Sequence, residues 1–370
     1  MEKEARCGME KESLYGLTFD SLAAWLGERG YKKSRAMLVW QYLYTALTED
    51  FSGMTDLEEG CRRLLDEHFV LRSLEEQLRQ TSADGTLKFL FSLEDGNLIE
   101  TVLMRPKFGW SVCVTTQVGC GMGCSFCASG LSGKVRDLTA GEIVEQIVRI
   151  QRYLEQTEQG GKVSHTEQGG KVSHVVVMGI GEPLDNFANV STALQVIKEQ
   201  RGLSIAGRHI TVSTSGLADR IYEFADADLK VNLAISLHAP TNELRTRLMR
   251  VNKTYPLEAV MAAVSYYLEK TRRKVSLEYI MLKDVNDSGD QARQLAELIG
   301  ERKPLTNVNL IPYNPIDEHR QYQRSDHGVM LDFYDVLKKH GLNCNIRLEK
   351  GRDIEAACGQ LRSKQGNIYT

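Results

Sequence analysis

No stretch of this sequence approaches the roughly 20 apolar residues that a bilayer-spanning helix needs, so a membrane-spanning role is not expected. The first residues, M-E-K-E-A-R-C-G-M-E-K-E-S, lack the apolar core of a signal peptide, which makes export unexpected and the cytoplasm the expected compartment. An excess of charge of either sign is also nearly absent, with 46 basic against 49 acidic residues. A net charge of −3 gives no bulk attraction to nucleic acid, so any such contact must rest on local basic patches. Cysteine is too sparse for a disulfide framework: eight occur in 370 residues, and three of them stand in metal-ligand spacing, which fits a reducing compartment. What remains is ordinary soluble composition, 42% hydrophobic and 26% charged, long enough for one large domain or two unequal ones.

The stretch that organises the chain is Val112–Ser129, V-C-V-T-T-Q-V-G-C-G-M-G-C-S-F-C-A-S. Cys120, Cys124 and Cys127 form C-x₃-C-x₂-C. Soft thiolates in such spacing suit three irons of a 4Fe–4S cluster. With no fourth ligand in this spacing, one iron is left open to a small chelating molecule, by analogy with the open position of catalytic zinc sites. Cys113 lies outside this spacing. Cys7, Cys61 and Cys344 have no motif around them and read as structural.

Residues 1–95 read as a small, mostly helical accessory domain. Leu17, Leu22, Trp25 and Leu26 share one helical face, with Asp20 or Ser21 as N-cap, and a second helix is predicted over Ser34–Ala46. The basic cluster Lys32, Lys33 and Arg35 opens that second helix, where it suits either an RNA backbone or plain solvent. Apolar runs on both sides of Glu94-Asp95-Gly96 predict a hairpin. Residues 96–350 then alternate short apolar strands with amphipathic helices. Strands are predicted at Ser111–Thr116, Val175–Met178, Ile210–Thr214, Val231–Leu237, Val275–Met281 and Asn307–Ile311, each followed by helix. A capping box at Thr139–Glu142 opens the first of these helices. The fold class is therefore α/β, a partial (βα)₆ barrel, with residues 351–370 as a tail. Thr157–His165 and Thr166–His174 are identical nine-residue copies, too short and too few for a solenoid, and are expected to lengthen a surface loop.

Polar motifs cluster at successive strand ends, where such folds bind ligands. They are G-I-G-E-P-L with Gly181 and Glu182, S-T-S-G with Ser213, S-L-H-A with Ser236, Leu237 and His238, and I-P-Y-N-P with Asn314. A lone strand-end histidine is more often a hydrogen-bonded structural residue. Cys358 sits in the tail among Ala, Gly and Gln rather than in an apolar stripe. Arg245, Arg247, Arg250 and Lys253, or Arg272–Lys274, form basic patches that read equally as solvated helix faces.

The C-x₃-C-x-F-C motif resembles that of radical S-adenosylmethionine (SAM) enzymes. Together with Glu100-Thr-Val, C-V-T-T-Q-V-G-C, M-G-I-G-E-P-L, S-T-S-G, S-L-H-A, N-L-I-P-Y-N-P and D-I-E-A-A-C-G-Q-L, it resembles the RlmN/Cfr family from about residue 15 to 362. The resemblance implies an RNA methyltransferase acting on carbon 2 of adenosine in 23S ribosomal RNA and in transfer RNA anticodon loops. It implies that Cys120, Cys124 and Cys127 hold the cluster, and that Gly181, Glu182, Ser213, Ser236, Leu237, His238 and Asn314 line a SAM pocket. Cys358 would accept a methyl group from one SAM, a second SAM would supply the radical, and Cys113 would resolve the adduct as a Cys113–Cys358 disulfide. Glu100 matches a proton acceptor. A reductant such as flavodoxin or ferredoxin and a monomeric state are further expectations. The alternatives are a Cfr-type enzyme acting on carbon 8, away from which S-T-S-G leans, another radical SAM enzyme such as a glycyl-radical activase, and an RNA-binding protein with a structural cluster.

Overall fold

The computed structural model describes residues 11–159 and 170–361. A short strand β1 (Glu12–Ser13) leads into helices α1 (Phe19–Gly27), α2 (Lys33–Tyr44) and α3 (Glu59–His68), and β2 (Phe69–Val70) returns parallel to β1. The N-cap of α1 is Thr18, whose hydroxyl accepts from the Ser21 amide at 3.2 Å, rather than Asp20 or Ser21. The cause is local: Phe19 is buried, so the helix begins two residues before the point an Asp20 cap would set, carrying the ring inward and edge-on against Trp40 at 5.5 Å. Arg35 of the basic cluster is not open to a ligand. Its guanidinium forks onto the Glu58 carboxylate, with Nε 2.7 and 2.8 Å from the two oxygens.

The main sheet begins with β3 (Leu74–Thr81), β4 (Leu87–Leu93) and β5 (Leu98–Met104), an antiparallel meander whose second turn is the predicted hairpin. Asp95 fixes that turn by accepting from the Asn97 amide at 2.9 Å. The strands up to Leu93, sequence-read as the end of the accessory region, are thus hydrogen-bonded into the main sheet. The chain continues through β6 (Trp110–Cys113), β7 (Gln117–Gly119), β8 (Lys134–Asp137), α4 (Ala140–Gln159), β9 (Val172–Val177), α5 (Phe187–Lys198), β10 (Ile210–Thr214) and α6 (Ala218–Asp226). It ends with β11 (Asn232–Ser236), α7 (Asn242–Leu248), α8 (Leu257–Thr271), β12 (Val275–Met281), α9 (Gly289–Ile299), β13 (Thr306–Pro312), α10 (His327–Lys339) and β14 (Asn343–Ile346).

The sheet order is β14-β13-β12-β11-β10-β9-β6-β5-β4-β3, with every pair from β6 to β14 parallel. The six predicted βα strands are therefore neighbours in sequence order and form an open partial barrel with β14 added at its edge. Helix α4 starts at the expected box: Thr139 N donates to Glu142 at 2.8 Å and Glu142 N donates to Thr139 Oγ1 at 3.2 Å. Its stripe Ile143, Ile147, Ile150 and Leu154 is buried against the sheet. The duplicated segment is more than a loop at its two ends. The first copy's T-E-Q closes α4 and the second copy's V-S-H opens β9, while residues 160–169 lie outside the described residues.

Candidate active site

Cysteine loop geometry follows from its glycines. Gly119 has φ +72°, and a Cβ there would stand 1.8 Å from the Gly133 carbonyl oxygen, so only glycine lets the loop close on itself. Cys120 N then donates to that same carbonyl at 3.0 Å, and Ser125 N donates to Leu248 O at 2.9 Å. These bonds turn Cys120, Cys124 and Cys127 toward one cavity at the C-terminal rim of the sheet.

All three thiols are half-buried by residue, and each is pushed up first by burial: Cys120 to about 12, Cys124 well above its ordinary value, and Cys127 upward. Crowding by neighbouring thiols adds to this for Cys120 and Cys124. Such a set is unfavourable as bare thiolates and favourable around a soft cation that neutralises them. Among the described residues no three ligands gather tightly enough for a single metal ion. A cluster asks for something wider, because each cysteine meets a different iron, so the residues present fit it.

Gly181, Glu182, Ser213, Ser236 and His238 all line the cavity that holds the three cysteines. Glu182 is buried; one carboxylate oxygen accepts from Ser215 N at 2.6 Å and the other from Leu184 N at 3.0 Å, while burial pushes its carboxyl up. Four lone-pair sites leave it able to accept a ligand's ammonium as well. His238 has both characters considered for it. Its Nδ1 accepts from Ile280 N at 3.0 Å, a structural bond, and its ring stands edge-on to Phe126 at 5.0 Å on the cavity wall. Burial drives it down to about 3, with Arg245 adding to the effect, so the ring is neutral. Leu237 is placed elsewhere, fully buried with its N–H on Glu278 O at 3.0 Å.

A second cavity adjoins the first. Cys113, Asn314, Met178 and Cys358 line it, and Cys358, Met178 and Arg347 line both cavities. Cys113 is buried and Cys358 exposed, and both are free thiols. Burial pushes Cys113 up to about 12, and the neighbouring Cys358 adds to this. Asn314 is buried with its Oδ1 unpartnered among the described residues, an acceptor aimed at something not protein. Glu100 is buried on β5, on the same face as Val102, and lies 3.1 Å from the equally buried Lys88. Val102 pairs with Cys113 across the strands, so this ion pair adjoins the thiol pair without lining its cavity.

Tail residues are latched to the cysteine loop. Ala128 N donates to Gly359 O at 2.8 Å and Ser129 Oγ donates to Leu361 O at 2.8 Å. Lys88 Nζ donates to Glu355 O at 3.3 Å, and Ala83 N donates to Asp353 at 3.0 Å.

Two arginines escaped the sequence reading. Arg347, just after β14, lies 3.4 Å from Glu278 and is held charged first by the Cys358 sulfur. Arg245, read as part of a surface patch, is fully buried; it donates to Leu237 O, Asn252 Oδ1 and Ser215 O, and burial lowers it to about 10. Nothing in the R-T-R-L-M-R stretch distinguishes Arg245 from its exposed neighbours Arg247 and Arg250 except helical phase, which places it beside buried Leu244 and Leu248.

Comparison with known proteins bears on this geometry. The radical SAM superfamily matches residues 114–299, and the ribosomal RNA large subunit methyltransferase N-terminal domain matches residues 12–71. A probable dual-specificity RNA methyltransferase RlmN of Shouchella clausii is 60% identical over 357 residues, covering 96% of this chain and 98% of the relative. Its counterpart in Exiguobacterium sibiricum is 58% identical with the same coverage. A crystal structure of a radical SAM methyltransferase from Sphaerobacter thermophilus superposes with a TM-score of 0.86 at 37% identity, covering 95% of this chain and 100% of that one.

Proposed function

The chain belongs to the RlmN family of radical SAM enzymes that methylate RNA, and from that premise we propose that it methylates carbon 2 of adenosine in 23S ribosomal RNA and in transfer RNA anticodon loops. The observation that carries this reading is the pair of thiols, Cys113 and Cys358, at one cavity beside the three-cysteine site. A radical SAM enzyme that only generates a radical has no use for them.

Cys120, Cys124 and Cys127 would hold a 4Fe–4S cluster, which when bound supplies the electron that splits SAM into methionine and a 5′-deoxyadenosyl radical. Gly181, Glu182, Ser213, Ser236 and His238 surround the space where SAM would be oriented, Glu182 facing its ammonium, and Asn314 reaches it from the adjoining cavity. At Gly181, with φ +108°, a Cβ would stand 2.6 Å from the Gln117 side chain, so the missing side chain keeps the backbone close to that space. Leu237 acts from below the wall.

Cys358 takes the first methyl group by displacement on a SAM methyl carbon: its sulfur forms the new S–C bond as the sulfonium S–C bond breaks, leaving S-adenosylhomocysteine. Arg347 lines the same cavity as this sulfur. The 5′-deoxyadenosyl group would take a hydrogen atom from the S-methyl group and leave as 5′-deoxyadenosine, and the carbon radical so formed would add to adenine carbon 2, an electron-poor sp² centre closed to ordinary displacement. The adduct would then return one electron to the cluster and lose the proton of carbon 2, for which Glu100, beside Lys88, is the candidate acceptor. Cys113 attacks the Cys358 sulfur; the S–S bond forms, the S–CH₂ bond breaks, and its electron pair takes a proton to complete the methyl group. The resulting disulfide must be reduced before the next cycle, and a flavodoxin- or ferredoxin-like donor suits the cluster's electron. A target base unstacked from its loop fits a site recessed at the sheet rim. A monomer in the cytoplasm completes the reading.

Its test is mass spectrometry of ribosomal and transfer RNA after incubation with reconstituted enzyme. 2-Methyladenosine with the wild type and none with Cys358→Ala is expected. A carbon 8 product, or full turnover by Cys358→Ala, overturns the proposal.

A further inference from the structure

At the N-terminal ends of β6, β9 and β10, the opposite end of the sheet from the cysteine loop, a cleft of about 840 Å³ opens. With β9 six residues long, some 20 Å of strand separates it from the SAM cavity, at about 3.3 Å per residue. Its walls carry Arg105, Lys107, Lys171 and Arg208, and no carboxylate among the described residues lines it. Lys107, Lys171 and Arg208 are exposed, and no described carboxylate pairs with them. Other cations have a carboxylate at hand, as Arg35 has Glu58 and Arg220 has Glu223.

An aromatic platform stands among these charges. The rings of His174 and His209 stack at 4.4 Å and 26°, Phe108 leans on His174 at 4.5 Å, and Phe108 is 58% exposed. The platform is fixed from behind, with Ser173 Oγ 2.9 Å from His174 Nδ1 and donating to Trp110 O at 3.0 Å. Unpaired cations beside an exposed ring are the two elements by which proteins hold unpaired nucleic acid: charge for the phosphates and a flat apolar face for a base.

We propose that this cleft is a second RNA-binding site, which takes an unpaired segment of the substrate RNA with its phosphates on the basic side chains and a base on the Phe108–His174 platform. The inference rests on the RNA-methylation reading above and deepens it. Recognition extends some 20 Å beyond the target base, so that a folded RNA is gripped at both ends of the barrel.

The test uses the full-length protein, fluorescein-labelled transfer RNA and anisotropy titrations across a series of KCl concentrations, with thermal melts to verify folding. In Lys107→Glu/Arg208→Glu the Kd at 0.15 M salt is expected to rise about tenfold. The slope of log Kd against log salt is expected to fall by about 1.4, at about 0.7 per lost single-strand phosphate contact. Phe108→Ala is expected to weaken binding at least about fivefold with the slope unchanged, since a stacked base rather than a charge is lost. A Kd and slope unaltered in the double variant, while the wild type binds and methylates RNA, overturn this proposal alone. A wild type that neither binds nor methylates RNA overturns the functional reading as well.

Discussion

The backbone N–H of Ala128, one residue past the third cysteine of the motif, donates a 2.8 Å hydrogen bond to the carbonyl of Gly359, one residue past Cys358. The group proposed to carry the methyl is thereby indexed directly to the loop proposed to make the radical, across 231 residues of sequence (359 − 128).

Weakening this latch should slow chemistry. Ser129→Ala removes the companion bond to Leu361 O, a contribution of about 1 kcal/mol. RNA methylation kcat is expected to fall about fivefold, at roughly 1.4 kcal/mol per factor of ten, with the tail cleaved faster in limited proteolysis. An unaltered kcat would show that the tail is held elsewhere.

Arg347 supplies the positive charge beside Cys358. Arg347→Met removes the cation that faces buried Glu278 and lines both cavities, so RNA methylation kcat is expected to fall about tenfold, about 1.4 kcal/mol. A methylation time course measures it, and an unaltered kcat would remove Arg347 from the reaction.

His238 links stability to acid. Burial lowers its folded pKa from 6.5 to about 3, so the fold prefers the neutral ring. That contribution is complete above pH 6.5 and is lost as pH falls from there toward 3. Between pH 7.5 and 5.5 the loss amounts to about 1.4 kcal/mol, roughly one pH unit below the unfolded pKa. Urea melts of wild type and His238→Gln at the two pH values should show this increment in the wild type only.

Arg245→Leu should be among the most damaging single changes. It strips donors from Leu237 O, Asn252 Oδ1 and Ser215 O, all buried, at about 1 kcal/mol or more each. A loss of about 3 kcal/mol in urea melts is expected, against less than about 0.5 kcal/mol for Arg247→Leu on the exposed face.

Sequence was most informative where the cause is local. The Thr139–Glu142 box, and β10 and β12 to the residue, follow from capping chemistry and from apolar runs that only a covered sheet tolerates. Five strand-end residues, Gly181, Glu182, Ser213, Ser236 and His238, share one cavity because parallel register aligns the strand ends, an inference that needs only the fold class. What stayed hidden depends on distant partners. Strand β3, L-E-E-Q-L-R-Q-T, is mostly exposed and reads as no strand until β4 pairs with it. Arg35 reads as a phosphate ligand until Glu58 arrives from another helix. The Lys88–Glu100 pair joins two strands diagonally, and Arg347 meets Cys358 only through the tail's return.

The duplicated nonapeptide makes the length of one connection adjustable. Its first copy closes α4 with T-E-Q, and its second opens β9 with V-S-H. Excising residues 157–165 rejoins the same helix to the same strand through an identical junction, with Lys171 and His174 retained at the cleft. One nine-residue copy gained or lost there leaves both anchoring elements spelled as before, so this connection can change length without altering the helix or the strand it joins.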